Sequence, residues 1–327
     1  MSAATLADLS DQLVYLAVLS YLVAVALFGA EFMTRSAWWG RAGLGVTLAG
    51  LAANAGCALA RGLATGRVPW GNMYEFSVML GGIIVTGFLV WAFRRPEVRP
   101  LGAFFLVPAV LAIGAGRVAL YAAAGPLVPA LQSGWLRIHV LAAITGTALL
   151  TLASVFSLLY LVAERLERKA APLRPPLIGG GARTADPAEV EAKVEASASA
   201  IAGYVEEQGE GGPAVATRRR FPLPSARTLD DLAYKTTAFA FPIWTFAIIA
   251  GAIWGQSAWG RYWGWDPKET WSFIVWVIYA AYLHARATAG WRGRRAAWIG
   301  VVGLAAMIFN FYVVNTVVIG LHSYSGL

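Results

Sequence analysis

The sequence predicts an all-α, polytopic membrane protein with about eight transmembrane helices and both chain ends on the outer, extracytoplasmic side. Composition comes first. Hydrophobic residues make up 58% of the 327 and charged residues only 13%, too apolar and too charge-poor for a water-soluble chain of this length. Long stretches free of charge recur, and about 20 apolar residues at about 1.5 Å each cover a hydrocarbon core of about 30 Å. Such spans must be helical, because an isolated strand in lipid leaves its N–H and C=O groups unpaired. The third observation is the sidedness of the basic residues, which sets the orientation.

Spans are expected at about 13–31, 42–60, 73–93, 100–116, 136–163, 236–254, 271–289 and 297–320. The first, from about Leu13 to Phe28, is preceded by no basic residue and followed by no small-residue cleavage motif, so a removed signal peptide is not expected. The connections alternate in charge. One set carries Arg35 and Arg41, then Arg94, Arg95 and Arg99, then the basic residues between Arg165 and Lys235, then Arg286, Arg292, Arg294 and Arg295. The other carries only Arg61, Arg67, Arg117, Arg137, Arg261 and Lys268. The richer set is expected in the cytoplasm. The net charge of +8 is thereby a matter of topology, spread over short connections rather than gathered on a soluble face, and no nucleic-acid partner is expected. The single cysteine, Cys57, lies in an apolar run, which leaves no disulfide framework or thiolate metal cluster.

The chain 1–327 thus reads as one transmembrane domain with two special connections. Residues 165–235 mix a Pro/Gly-rich stretch, a polar alanine-rich stretch and "RRRFPLP", and are expected to be a mobile cytoplasmic insert. A short surface helix after Asp186 and Pro187 is compatible with its pattern, and Arg218 to Arg220 serve to orient the next span or to touch lipid headgroups. The second connection is outward-facing. "WGQSAWGRYWGWDPKETW", residues 254–271, holds five of the fourteen tryptophans, among them Trp254, Trp259, Trp263 and Trp265, interleaved with Gly255, Gly260 and Gly264. Indoles are common at membrane interfaces, but this density, with glycines that let the backbone fold tightly, points to a flat apolar ligand. Asp266 followed by Pro267 reads as an N-cap and first-turn proline, and Glu269 favours the positive helix end.

Only three histidines occur. His139 lies about one turn inside the outer end of the fifth span, and His322 follows the eighth, so both stand level with the tryptophan loop. Two imidazoles beside a shelf of indoles suit haem: the iron takes two axial nitrogens, the macrocycle stacks on aromatic rings, and its propionates welcome a cation such as Arg261 or Lys268. His284 is different. Thirteen residues beyond Trp271, it sits about 20 Å into the bilayer toward the cytoplasm. It either forms a neutral hydrogen bond or binds one side of a metal whose other ligand comes from another polypeptide.

"WGRYWGWDPKETW" resembles the tryptophan-rich WWD signature of haem-handling proteins. Together with "GLHSYSG" at the C-terminus, "VPALQSGWLRIHV" at the fifth span and "VPWGNMYEF" before the third, it is similar to the CcsA/ResC family (also called CcsB) of system II cytochrome c biogenesis. The resemblance implies haem transport across the membrane and covalent attachment of haem to apocytochrome c Cys-x-x-Cys-His motifs, that is, a holocytochrome c synthase acting with a ResB/Ccs1-type partner. A haem exporter or haem chaperone without synthase activity is the alternative. It further implies that His139 and His322 hold the outer haem iron and act at the attachment site, with Trp254, Trp259, Trp263, Trp265, Asp266 and Arg261 binding the cofactor around them. His284 then holds an inner haem iron opposite a ligand from the partner. The cofactor is ferrous haem b, a thioredoxin-like thiol reductant is a further partner, and the setting is the bacterial plasma (inner) membrane with the active site outside the cytoplasm. Glu75 lies near the outer face and is expected only to shape the site.

Overall fold

The computed structural model describes residues 1–126, 131–170 and 223–322. Among these it is all-helical, with no strand. The long helices are α1 (Ala3–Thr34), α2 (Ala37–Thr65), α3 (Met73–Arg94), α4 (Gly102–Ala119), α5 (Gly134–Ala170), α6 (Ala226–Trp259), α7 (Pro267–Ala287) and α8 (Arg294–Thr316). The last is interrupted by a π-helical turn at Phe309–Val313. Seven of the eight are long and apolar enough to cross a membrane; α7 falls outside that set. Its 21 residues span about 31 Å, but it carries Lys268, Glu269, His284 and Arg286 and a high share of Trp and Tyr, which depress its hydropathy.

Helix ends follow local chemistry rather than the limits of the apolar runs. Ser225 caps α6, its Oγ accepting from Thr228 N, so this helix starts at Ala226, about ten residues earlier than the span expected from hydropathy. Residues Leu166–Phe221 form a compact unit of their own, of which only 166–170 are described. The expected mobile insert, the helix after Asp186 and the Arg218–Arg220 run therefore lie outside the described residues.

α1 buries Ser10, Val14, Ala17, Tyr21, Ala24, Phe28 and Glu31, a heptad spacing that keeps one seam against its neighbours. α2 answers with small residues, Gly40, Gly43, Thr47, Gly50 and Ala53. This small-residue face lets the two backbones approach, which is how helices associate when lipid offers no hydrophobic contrast. A Cβ at Gly50 would stand 2.8 Å from the Tyr21 ring. α5 occupies the centre: 78% of its most apolar window is buried, against 28–56% for the other spans. Ser154 on α5 donates to Gly300 O on α8 at 3.0 Å and meets the Tyr279 hydroxyl of α7 at 3.1 Å, tying three helices at mid-depth.

Ion pairs pin the two ends of the bundle. At one end Glu31 of α1 accepts from Arg99 at 2.6 Å, and at the same level as the α6 start Asp230 accepts from Arg286 at 2.6 Å. At the other end Glu75, only 1% exposed, accepts from Arg61 Nε at 2.8 Å, Arg67 Nη1 at 2.7 Å and Gly71 N at 2.7 Å. Arg61 also donates to Ala122 O, beyond α4, and Arg67 to Gly125 O at 3.2 Å. Asp11 in the first turns of α1 joins the same end through the Tyr121 hydroxyl at 2.7 Å. Glu75 therefore organises the α2–α3 connection, a role its place in the sequence does not reveal. Replacing Glu75 by Gln strands two guanidinium groups, and breaking a buried pair costs about 3–5 kcal/mol. A lower thermal midpoint of the detergent-solubilised variant is the expected result.

Candidate functional site

The tryptophan connection is shorter than the sequence suggested. α6 continues through Trp254 to Trp259 and stops at Gly260, whose φ of +72° is the left-handed cap that ends it. α7 starts at Pro267, so the true loop is 260–266. Asp266 is the N-cap, and Glu269 completes a capping box: its Oε2 accepts from Gly264 N at 2.8 Å and Asp266 N at 3.0 Å. That double acceptance holds Trp265 at φ +58°, a left-handed conformation costing a non-glycine residue about 1–2 kcal/mol.

His139 projects from the first turns of α5 against α6. Its Nδ1 lies 2.7 Å from Ala247 O; a carbonyl only accepts, so Nδ1 carries the hydrogen and Nε2 is the nitrogen able to ligate. One helical turn along α6, Gly251 makes room for the ring, since a Cβ there would stand 2.7 Å from His139 Nδ1. His322 follows the end of α8. Its Nδ1 lies 2.9 Å from Asp266 Oδ2, again directing Nε2 away from the acceptor. Asp266 Oδ1 also accepts from Leu321 N at 2.7 Å, so one carboxylate caps α7 and fastens the chain after α8. Both imidazoles are thus oriented through Nδ1 by an acceptor behind them, the arrangement found behind metal-ligating histidines.

Between them stand indoles. Trp254, 2% exposed, lies nearly parallel to His139 with centroids 6.2 Å apart and meets His322 at 6.0 Å; Trp259 meets His322 at 4.9 Å. Two cavities converge here, of about 110 Å³ and 120 Å³, both lined by His139, His322, Trp254, Lys268 and Phe311. The first reaches inward to Thr147, Trp244 and Met307, the second outward to Trp70, Leu131 and Leu136. Each alone is smaller than the roughly 300–1,000 Å³ usual for a ligand pocket. A large planar ligand fits by bridging both across the two imidazoles, with an edge left outside. Among the described residues no group of three His, Cys, Asp or Glu could hold a metal ion, so a metal here would bring its other donors with it.

The predicted site residues divide into three. His139, His322, Trp254, Trp259 and Trp263 line the first cavity, and Asp266 stands behind His322. Trp265 is 65% exposed and packs on Trp263 and Phe273 outside it, and Arg261, also exposed, folds over Gly264 where a Cβ would meet its guanidinium. His284 lies far off, exposed near the far end of α7 on the stripe that holds Phe273, Val277 and Ala281. Sequence reasoning missed Phe76, Asn310 and Phe311 as wall residues. Asn310 was findable, as a polar residue inside an apolar span.

Burial works to raise the Asp266 carboxyl, but hydrogen bonds from His322, Leu321 and Lys268 outweigh it and hold the group below the usual carboxylate range. A lowered folded-state value means that the tether is complete above that range and is lost as pH falls through the lowered value. Asp266→Ala is expected to speed amide exchange of Leu321 at neutral pH, whereas the unaltered chain shows the same release only in acid.

Comparison with known proteins follows the same line. The family described as Cytochrome C assembly protein matches residues 70–322. A cytochrome c biogenesis protein CcsA of Gloeobacter violaceus is 36% identical over 345 aligned positions, covering 100% of this chain and 99% of that one. The CcsA of Pyropia yezoensis is 35% identical, covering 82% of each. Among solved structures, the cytochrome c haem lyase CcmF superposes with a TM-score of 0.61 at 17% identity; the match covers 95% of this chain but spans only 47% of that one. That likeness shows a shared fold. A family match over most of the chain and a relative aligned end to end decide the assignment: the chain belongs to the CcsA family of cytochrome c assembly proteins.

Proposed function

We propose that this integral membrane protein of cytochrome c biogenesis carries haem across the bacterial plasma membrane and presents it, at the cleft between His139 and His322, for attachment to apocytochrome c. The observation that carries this reading is the pair of imidazoles, each oriented through Nδ1 by Ala247 O or Asp266, on either side of an indole-walled cleft. Two nitrogens without further protein donors suit an iron already held in a macrocycle. The charge bias of the connections supports an extracytoplasmic cleft with both chain ends on that side.

Haem is the substrate here, in its ferrous b form. A Cys-x-x-Cys-His segment reaches it through the hollow of about 720 Å³ beside the outer cavity, which shares Trp70, Gly71, Leu131 and Leu136 with it. Each thiol adds across one vinyl group: a C–S bond forms, the C=C double bond becomes single, and the thiol hydrogen ends on the second vinyl carbon. No electrons leave the system, so the chain needs no nucleophile of its own. Its contribution is orientation, which can be worth about 7–11 kcal/mol. A thioredoxin-like reductant keeps the thiols free. His284, facing outward from α7, takes an inner haem together with a ligand from a ResB/Ccs1-type subunit.

The test is coexpression with that subunit and an apocytochrome in cells lacking their own maturation system. Covalent haem that survives acid acetone extraction supports attachment; haem that co-purifies without covalent product supports an exporter. His139→Ala or His322→Ala is expected to abolish the product. Asp266→Asn, which weakens the support behind one ligand, should lower haem loading about 10–100-fold. Gly251→Ala, which pushes the His139 ring aside, should reproduce the His139→Ala spectrum while the protein is still made in normal amount.

A further inference from the structure

Lys268 lines both cavities, and its ammonium group spends only one of its three N–H donors on protein, to Asn310 O at 3.0 Å. Among the described residues no carboxylate oxygen lies within 4 Å of it. The neighbouring carboxylates are committed elsewhere: Glu269 to the amides of Gly264 and Asp266, Asp266 to His322, Leu321 and its own helix cap. The other candidate cation, Arg261, lies on the outer side of the loop over Gly264 and lines neither cavity. The Phe311 ring, 5.9 Å from Nζ, offers only a weak partner. Beside it the Asn310 Oδ1 is buried without a hydrogen bond, in the π-helical turn of α8.

A positive charge held beside a low-dielectric cleft without its counter-ion is costly unless the occupant supplies one. Building on the haem reading above, we propose that Lys268 binds a carboxylate of the porphyrin and thereby sets its rotation between the two imidazoles. The carboxylate-bearing edge turns to the wall made by α7 and α8, and the vinyl edge turns away from it, toward the approaching thiols. Lys268 is in this sense a specificity residue: it selects a porphyrin with free acid groups and fixes which edge is offered.

The experiment uses the full chain purified with its partner subunit, titrated in detergent with iron protoporphyrin IX and with its dimethyl ester, and read by Soret absorbance. The unaltered protein should bind the diacid roughly 10–100-fold more tightly than the ester, the range for a hydrogen bond to a charged group. Lys268→Met should lose that preference by weakening diacid binding while leaving ester binding unchanged; the ester arm also reports that the variant is folded. A preference that survives Lys268→Met, or its absence from the unaltered protein, overturns the assignment. Equal weakening of both ligands does so too, since that marks a structural role. If His139→Ala with His322→Ala leaves both titrations unchanged, the underlying haem reading fails instead.

Discussion

The Asp266 carboxylate is the interaction on which the site depends. It is at once the cap of α7, the anchor of the chain after α8 and the support behind the His322 ring. These roles reinforce each other, because a carboxylate that accepts several N–H groups is fixed in space by all of them. Glycine at 320 belongs to the same arrangement, for a Cβ there would stand 2.8 Å from Asp266 Oδ1. His139 is held by different means, a backbone carbonyl on α6 and the gap at Gly251. One ligand thus rests on a rigid helix pair, and the other on a tether of three hydrogen-bonded segments.

Away from the site the molecule divides labour between ends and middle. Glu75 with Arg61 and Arg67, Glu31 with Arg99, and Asp230 with Arg286 fix the helices where they leave the apolar zone. Between these ends, close approach is achieved by small residues, such as Gly50 against Tyr21 and Gly303 against Tyr279. The Glu75 cluster also shapes the site indirectly. It holds the α2–α3 connection, whose Trp70, Gly71 and Asn72 wall the outer cavity.

Much of the fold was legible because the signals are local. Charge-free runs mark the spans, and the Asp-Pro-x-Glu pattern marks the cap that forms at Asp266 and Glu269. What escaped was tertiary. Trp254 and Trp259 read as loop residues, yet both are helical, because the stop is Gly260 and not the first indole. Arg261 and Lys268 are both cations in the same segment, and only the turn of the loop puts one outside and one in the cleft. The role of Glu75 requires partners from two other connections, which no spacing rule announces.

The π-helical turn in α8 has one more consequence. Such a turn takes up one residue beyond the count of a regular helix. Were the Phe309–Val313 segment shortened by a single residue, the helix could close as ordinary α, with everything downstream swung by about 100° and drawn back by about 1.5 Å. The tail would then meet Asp266 from the wrong azimuth. The length of that segment, independent of which side chains fill it, is therefore a constraint on how this chain can evolve.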